Sequence, residues 1–417
     1  MSNVQLPTAI TGMGILTAIG QGKEKVTQAL LAGDAAFGYL QRPGREGTPP
    51  FLGAELPPLI TTSFQPEHTR LLRNASLSTQ VALLAALEAW QDAQLTETTI
   101  NPERIGIVVG GSNVQQREHA ALWKRQAANP QFINPSYGVS VWDTDLIGVL
   151  SQALQIRGEG FSVGNSSASG GMAIIQAARQ IQSGQTDVAL AVGALFDLSS
   201  WEGYGWRNLG ALGSARFQDQ PQAACRPFDE ASDGFIYGEG CGVIVLENAE
   251  HAQRRGVRIY GHLLGWGSCL DGNRNSNPNQ EGEARVMRAA LAMAGLQPDQ
   301  INYVNTHGTS SPLGDQTEVA ALRAVGLAHA SLNATKSLTG HTLTAAGVVE
   351  AIATLVQMET GRLHPTRNLV NPIAPDLCWV GANSIQCTVD YALSNSFGFG
   401  GINTAMVLGR QVMETNL

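Results

Sequence analysis

The chain has 417 residues, of which 43% are hydrophobic and only 14% are charged, so it can bury a large core behind little charged surface. Its formal net charge is -8 and its lysines and arginines are scattered, which excludes a nucleic-acid surface built on a basic block. No apolar run reaches the roughly 20 residues that a membrane span needs, and the first residues lack a signal-peptide pattern. These features predict a cytoplasmic enzyme that binds neither nucleic acid nor membrane.

The five cysteines predict neither a metal centre nor a disulfide framework. They form no C-x-x-C pair and do not cluster with histidine in the sequence. Free thiols of this kind fit a reducing compartment. We therefore expect no metal ion and a cytoplasmic location.

Short β-rich runs alternate along the chain with segments of helical period. The runs are IGIVVGG (105–111), FSVGN (161–165), DVALAVGA (187–194), GVIVLE (242–247), INYVN (301–305) and TAMVLG (404–409). Ala/Leu-rich helical segments lie between several of them. The pattern predicts an α/β architecture whose central strands are buried on both faces.

A weak internal repeat relates the two halves of the chain. The helical segment 81–95 with its following strand resembles the segment 285–300 with its following strand. A helix that opens after NSSASGG also has a counterpart that opens after GHTLTAAG, and both are rich in glycine and alanine, as expected of helices that pack closely inside a structure. We predict two similar halves, 1–255 and 256–417, that share one core.

The stretch GNSSASGGMAI (164–174) places several hydroxyl groups at the start of a helix. Serine, asparagine and glycine are ordinary helix starters, because they satisfy the first free backbone N–H groups. A helix N-terminus also gathers positive potential, so one of these serines could instead occupy the position of a nucleophile or an anion. The stretch alone leaves both interpretations open.

Two later loops carry histidines in glycine- and threonine-rich surroundings. VNTHGTSSPLGDQTE (304–318) holds His307 just past a strand, and ATKSLTGHTLTAAG (334–347) holds Lys336 and His341 at the opening of a helix. Neither loop has the spacing of a metal site, so the histidines are interpreted as hydrogen-bond donors or acid–base groups.

Lys336 and a third loop complete this set of polar residues. Lys336 is expected either to hold Glu318 in an ion pair or to tune the histidines by its charge. The third loop, NSFGFGGINTAMVL (395–408), has glycines that would let backbone amides approach a ligand.

The three loops resemble signatures of the β-ketoacyl-ACP synthases. HGTSSPLGDQTE, KSLTGHTLTAAG and NSFGFGGIN carry the resemblance, and ITGMGILTAIG and RPFDEASDGFIYGEGCGVIVLENAEHAQRRG (226–256) extend it over essentially the whole chain. The resemblance implies a thiolase fold, in which two βαβαβαββ halves form a five-layered α/β/α/β/α core with buried central helices. It also implies a homodimer.

The same resemblance assigns the site residues. His307 and His341 take the two histidine positions of the family, Lys336 takes the lysine position, and Glu318 takes that of its acidic partner. Ser167 stands where the family has its nucleophilic cysteine.

Two other positions follow from the family pattern. Phe399 takes the place of the gating phenylalanine, and the backbone N–H groups of Ser167 and Phe399 would form an oxyanion hole. Ser232 stands where the family usually has arginine.

The missing thiol predicts a change of reaction. A cysteine thiol ionises readily beside a histidine and a helix N-terminus, whereas a serine hydroxyl needs a committed base. Decarboxylation of malonyl-ACP in this family uses the two histidines and not the cysteine. We therefore expect malonyl-ACP to be converted to acetyl-ACP, as in the free-standing Cys-to-Ser ketosynthases of bacterial polyketide β-branching pathways, which this chain resembles.

Two other functions remain open at the level of sequence. One is a β-ketoacyl-ACP synthase that condenses acyl and malonyl units through an acylated Ser167. The other is a non-catalytic subunit, similar to a chain-length factor, that binds a catalytic ketosynthase.

The resemblance also implies the partners. The substrate would arrive on the phosphopantetheine arm of an acyl carrier protein, with no other cofactor, and the product would pass to an enzyme similar to hydroxymethylglutaryl synthase. Because carrier proteins are acidic, we expect a local basic docking surface, with Arg70, Arg73 and Arg207 as candidates.

Overall fold

A mixed β-sheet of eleven strands connects both halves of the molecule. The structure, a computed structural model, describes residues 8–96 and 100–410. Its strands are β1 (Thr8–Thr17), β2 (Gly20–Gln21), β3 (Gly38–Tyr39), β4 (Leu52–Ala54), β5 (Ile105–Gly110), β6 (Gly160–Val163), β7 (Val188–Gly193), β8 (Tyr237–Gly238), β9 (Gly240–Asn248), β10 (Gly261–Leu270), β11 (Tyr303–Asn305), β12 (Ser331–Asn333), β13 (Arg362–Leu363), β14 (Ile385–Gln386), β15 (Tyr391–Gly398) and β16 (Ile402–Gly409). Its α-helices are α1 (Lys23–Ala32), α2 (Pro66–Leu71), α3 (Leu77–Asp92), α4 (Gln116–Gln126), α5 (Tyr137–Ser140), α6 (Thr144–Leu154), α7 (Ser169–Gln182), α8 (Ser200–Asn208), α9 (Ala249–Arg255), α10 (Gln280–Ala294), α11 (Pro312–Val325), α12 (Lys336–Thr339) and α13 (Ala346–Thr360).

The strand order of the main sheet repeats between the halves. Read from one edge it is β6-β5-β7-β9-β1 and then β10-β16-β15-β11-β12. In each half the outer three strands pair in parallel and the inner pairings are antiparallel, and the antiparallel pair β1–β10 joins the halves. The repeat predicted from the sequence is therefore a repeat of topology.

The helices turn this sheet into five layers. α7 packs against β5 and β7, α13 packs against β9 and β15, and the two helices contact each other in the middle. On the outer faces α3 covers β1 and β9, while α10 covers β10 and β16 and also contacts α11. The predicted α/β/α/β/α arrangement is thus present, with α7 and α13 as its buried centre.

Glycines allow the outer helices to lie directly on the strands. A Cβ added at Gly14 of β1 would lie 1.9 Å from the carbonyl oxygen of Ala85 in α3. At the equivalent place in the second half, a Cβ at Gly267 of β10 would lie 2.2 Å from the carbonyl oxygen of Val286 in α10. In both halves, therefore, a glycine in the strand leaves room for the backbone of the helix that covers it.

The two central helices also meet through glycine. A Cβ added at Gly347 in the first turn of α13 would lie 2.3 Å from the backbone nitrogen of Gly171 in α7. Because the opposing atom belongs to the backbone, no side-chain rotation could relieve this contact. The starts of α7 and α13, which carry the neighbouring site loops, are held at a fixed separation.

The six runs predicted from the sequence coincide with strands of the core to within two residues at each end. The runs that begin at residues 105, 187 and 404, for example, correspond to β5, β7 and β16. Within INYVN, only residues Tyr303–Asn305 form a strand, β11. Asn302 instead accepts hydrogen bonds at its side-chain Oδ1 from the N–H groups of Asp390 and Tyr391, at 2.9 and 3.1 Å.

In the described ranges, every helix is too short or too polar to cross a lipid bilayer.

Replacing Gly347 by alanine should lower the free energy of unfolding by about 1–3 kcal/mol, because the added methyl group has no room against α7. The matched control is Gly148→Ala in α6, where a Cβ would meet no atom within 4 Å. This control should be stabilised by up to about 1 kcal/mol, since alanine is the better helix former. Thermal unfolding of both variants measures the difference, and equal midpoints would contradict the close packing.

Candidate active site

Two serines of the hydroxyl-rich stretch at the start of α7 have different hydrogen-bond partners. Ser169 starts the helix: its Oγ accepts from the N–H of Asn165 at 2.8 Å and donates to the carbonyl oxygen of Ser166 at 2.7 Å. Ser167 lies in the 3₁₀ turn Ser166–Ala168, and its Oγ is 2.8 Å from Nε2 of His341. Ser169 does not cap α7, because the N–H group that its Oγ accepts belongs to Asn165, ahead of the helix. The ordinary helix-starting interpretation is therefore wrong for this serine, and Ser167 is the residue that faces another functional group.

His341 is fixed by its backbone and by both ring nitrogens. Its N–H donates to the carbonyl oxygen of Ile236 at 2.7 Å, and its carbonyl oxygen accepts from Gly238 at 3.0 Å. The backbone N–H of Leu343 donates to Nδ1 at 3.2 Å. Because Nδ1 is an acceptor, the proton of the neutral ring is on Nε2, which donates to the Ser167 hydroxyl oxygen.

His307 follows β11 and is held by Glu318 of α11. The two carboxylate oxygens of Glu318 accept from the N–H groups of His307 and Gly308, each at 2.8 Å. One of them also accepts from Nδ2 of Asn395 at 3.1 Å. Glu318 therefore positions the backbone that carries the histidine.

The ring of His307 has the same tautomer as that of His341. The Lys336 ammonium is 3.2 Å from His307 Nδ1, and an ammonium can only donate, so the proton of neutral His307 is on Nε2. The two imidazole rings lie 5.5 Å apart between centroids and are almost perpendicular, at 83°. The predicted pair of histidines is thus brought together.

Both histidines are held in the neutral form. Burial, followed by the positive charge of Lys336, lowers the pKa of His341 well below the usual range. Burial, Lys336 and then His341 lower the pKa of His307 in the same way, against a hydrogen bond to the backbone of Phe397. Each ring can therefore offer one N–H group at neutral pH without carrying a charge.

The expected ion pair between Lys336 and Glu318 is not formed. The Lys336 ammonium instead pairs with Glu350 of α13 and donates to the carbonyl oxygen of His307 at 2.5 Å. Both side chains of the pair are buried, with 2% of each exposed. Glu318 is already occupied by backbone N–H groups, and so the lysine takes the carboxylate that α13 presents.

Glu350 was missed by the sequence analysis. Burial raises its pKa to about 7, and the neighbouring Lys336 opposes that shift. Its signal in the sequence is a single acidic residue within AGVVEAIA, the otherwise apolar first half of α13. A buried charge of this kind requires a partner, and the only nearby loop with a lysine was the one that carries His341.

The glycine-rich loop after β15 closes over the serine turn. The Ser166 hydroxyl donates to the carbonyl oxygen of Phe399 at 3.2 Å, and a Cβ at Gly398 would lie 2.7 Å from the carbonyl oxygen of Asn165. The Phe399 ring is 37% exposed. Ser167 and Phe399 are therefore neighbours, as the resemblance implied.

One cavity of about 520 Å³ collects these groups. Ser167, His307, His341, Glu318 and Phe399 all line it, and Lys336 lies behind the two rings. Over residues 8–96 and 100–410, no group of three or more His, Cys, Asp or Glu side chains is arranged to hold a metal ion. The chemistry that this cavity offers is hydrogen bonding from two neutral imidazoles.

The three candidate docking arginines lie in different settings. Arg70 is in the last turn of α2 and Arg73 is just beyond it, and both are exposed. The Arg207 guanidinium donates to the carbonyl oxygens of Pro49 and Pro50, at 2.8 and 3.3 Å. It also lies 4.0 Å above the Phe51 ring, so it is already engaged within the chain.

Removing the Glu350 charge should destabilise the protein strongly. Glu350→Gln leaves the buried Lys336 ammonium without a counter-charge, which costs about 3–5 kcal/mol. Glu359→Gln is the control at the end of the same helix, where the pair with Arg258 is partly exposed and its loss should change stability by less than about 1 kcal/mol. Chemical denaturation of the two variants tests this, and similar losses would refute the buried pair.

Comparisons with known proteins identify the family. The model of the β-ketoacyl synthase N-terminal domain matches residues 6–252, and that of the C-terminal domain matches residues 260–370. The polyketide biosynthesis malonyl-ACP decarboxylase PksF of Bacillus subtilis is 47% identical over 411 residues, which is 98% of both chains.

Two solved structures share the fold over nearly the whole chain. The ishigamide ketosynthase/chain length factor matches with a TM-score of 0.89 at 28% identity, over 98% of this chain and 100% of that one. The type II polyketide synthase complex AntDE:AntF, a carrier protein with its ketosynthase, matches with a TM-score of 0.84 at 26% identity, over 98% and 100%. These matches confirm the predicted thiolase fold and the resemblance, and the chain belongs to the β-ketoacyl synthase family.

Proposed function

We propose that this protein decarboxylates malonyl-ACP to acetyl-ACP in bacterial polyketide biosynthesis. The observation that carries the proposal is a pair of neutral imidazoles, each protonated on Nε2, beside a serine in the position of the family's cysteine. The 47% identical relative named as a malonyl-ACP decarboxylase supports it. The condensing reaction would need a nucleophile that this site does not activate.

The histidines would act on the thioester carbonyl oxygen of the malonyl group. When the bond to the carboxylate breaks, its electron pair moves onto this oxygen as an enolate and CO₂ leaves. When substrate binds, the enolate oxygen would replace the Ser167 hydroxyl and the Phe397 backbone as the acceptor of the Nε2–H groups of His341 and His307. These donors would stabilise the developing negative charge, which is greater in the transition state than in the substrate. Neutral rings serve this purpose, because they donate hydrogen bonds without a preceding protonation step.

Ser167 would not act as an acyl carrier. His341 donates its only ring proton to the Ser167 hydroxyl oxygen and keeps Nδ1 occupied by Leu343, so it has no free lone pair with which to deprotonate the serine. We propose that Ser167 orders the pocket by this hydrogen bond. The backbone N–H groups of Ser167 and Phe399 would form an oxyanion hole. The Phe399 side chain would gate access to the cavity.

Lys336 and Glu318 would support the two rings without touching the substrate. The charge of Lys336 lowers the pKa of both histidines, and its contact with His307 Nδ1 selects the tautomer. Glu318 holds the backbone of His307. Their contribution is therefore to the placement and charge state of the donors.

The partners follow from the same proposal. The substrate would be carried on the phosphopantetheine arm of an acyl carrier protein, with no further cofactor. The known complex of a related ketosynthase with its carrier protein supports such a partner. The proposal has three further parts. The protein would form a homodimer, and its two halves would be residues 1–255 and 256–417. Its product would be transferred to an enzyme similar to hydroxymethylglutaryl synthase.

The decisive experiment is mass spectrometry of malonyl-ACP incubated with the protein, with and without an acyl-ACP primer. We expect acetyl-ACP, an unmodified Ser167 and no β-ketoacyl product. His307→Ala and His341→Ala should each slow the reaction by about 10²–10³-fold, as for the loss of one oxyanion donor, whereas Ser167→Ala should remain within a few-fold of the parent.

The other outcomes identify the alternatives. An acylated Ser167 together with a β-ketoacyl product would mean a serine-based condensing enzyme. Malonyl-ACP that remains untouched would point to a non-catalytic partner subunit.

Arg70 is the test of carrier docking. Arg70→Glu should raise KM for malonyl-ACP by about tenfold through repulsion of the acidic carrier protein, and should leave the turnover of a malonyl thioester on a short pantetheine fragment unchanged. Arg254→Glu is the control, because this exposed arginine lies on α9, away from the cavity. Steady-state kinetics with both substrates measures the effect, and an unchanged KM for Arg70→Glu would remove Arg70 from the docking surface.

A further inference from the structure

Glu283 is a buried acid in the wall of the active-site cavity that the mechanism above does not use. It lies in the first turn of α10, and only 1% of the residue is exposed. It lines the same cavity as Ser167, His307 and His341. It therefore shares one cavity with the proposed reaction centre.

One carboxyl oxygen of Glu283, Oε2, is buried without a hydrogen-bond partner. This distinguishes Glu283 from the other acids at this end of the cavity. Asp315 accepts from the N–H groups of Phe228 and Thr309, at 2.6 and 3.1 Å. Asp271 accepts from Nδ2 of Asn403 at 2.8 Å, and Glu318 is held by backbone N–H groups. Among these acids, Glu283 is the one that lines the cavity and keeps a buried carboxyl oxygen without a hydrogen bond.

The surroundings of Glu283 favour its protonated form. Burial, and then the neighbouring carboxyl groups of Glu318, Asp271 and Asp315, raise the pKa of Glu283 well above that of an ordinary glutamic acid. No cation forms an ion pair with it within the described ranges. Burial and the neighbouring carboxyl groups therefore both favour the carboxylic acid form of Glu283, which has a proton to give.

The proposed reaction needs such a proton. After CO₂ has left, the α-carbon of the enolate must form a C–H bond to become an acetyl group. The histidine Nε2–H groups are committed to the enolate oxygen, and loss of either proton would remove a donor that stabilises it. The Lys336 ammonium already donates to Glu350 and to His307 O and Nδ1. None of these groups is free to protonate carbon.

We propose that Glu283 is the proton donor that converts the enolate into the acetyl group, an inference that rests on the proposed decarboxylase function. The Glu283 O–H bond breaks and the α-carbon forms a C–H bond, in direct contact or through one water molecule in the cavity. Glu283 is left as a carboxylate and regains a proton from solvent. The balance is malonyl-ACP plus one proton to acetyl-ACP plus CO₂.

The test is Glu283→Gln, which keeps the shape of the side chain and removes its acidic proton. We expect acetyl-ACP formation to fall by about 10²-fold, the usual contribution of a positioned general acid. Glu281→Gln is the matched control: it lies two residues earlier on the same helix, its side chain is 71% exposed, and its rate should equal that of the parent.

Isotope exchange separates proton donation from a structural role. With ¹³C-bicarbonate and carbonic anhydrase present, an enolate that waits for a proton can recapture labelled CO₂, so unreacted malonyl-ACP should gain ¹³C with Glu283→Gln and not with the parent. His307→Ala should be slow without gaining label, because it forms less enolate. Glu283→Asp, which retains an acidic proton on a shorter arm, should recover part of the rate and lose part of the exchange.

Two results would overturn the inference. They are a parent-like rate in Glu283→Gln, and a slow Glu283→Gln that gains no label. If Glu283→Gln does not fold, the same exchange is measured with Glu283→Asp, where a reduced rate without label would likewise refute it. Failure of the proposed function is distinguishable, because the parent protein would then make no acetyl-ACP.

Discussion

The ammonium group of Lys336, buried in the centre of the protein, is the interaction on which the site depends. Its donors reach the carboxylate of Glu350 on α13 and both Nδ1 and the carbonyl oxygen of His307. This one charge ties a central helix to the loop after β11 and fixes the tautomer of His307. It also lowers the pKa of both histidines. A neutral residue at this position could not do all of these things.

The identity of residue 167 decides which reaction the groups around the two histidines can support. In a condensing enzyme the thiol beside His341 would become a thiolate and carry the acyl group. The serine hydroxyl instead accepts the Nε2–H of His341 and stays protonated itself. Under the proposed function, the site would retain the groups that stabilise charge and lose the group that carries the acyl chain. The two halves of the family's reaction would then depend on separable groups.

The sequence predicted the buried strands and the closely packed helices because both are encoded locally, while the five layers and the roles of the candidate site residues came from the family resemblance of short loop signatures. Strand runs, the small residues of α7 and α13, and the three loop signatures each lie within a short stretch of chain. Two features could not be predicted in this way. The partner of Lys336 is Glu350 and not Glu318, since the choice depends on which carboxylate backbone N–H groups have already satisfied. Glu283 could not be singled out either, because only the packing of the structure shows that its Oε2 is buried without a hydrogen bond.

The glycine contact between α7 and α13 limits which substitutions this chain can accept near its site. Gly347 leaves no room beside the backbone of Gly171, so the two helices that carry Ser167 and the loop of His341 cannot slide to accommodate a new side chain. Near this helix contact, a substitution can change a side chain only if the backbone stays where it is. A serine for a cysteine is a substitution of this kind, since it alters reactivity while the geometry is inherited intact.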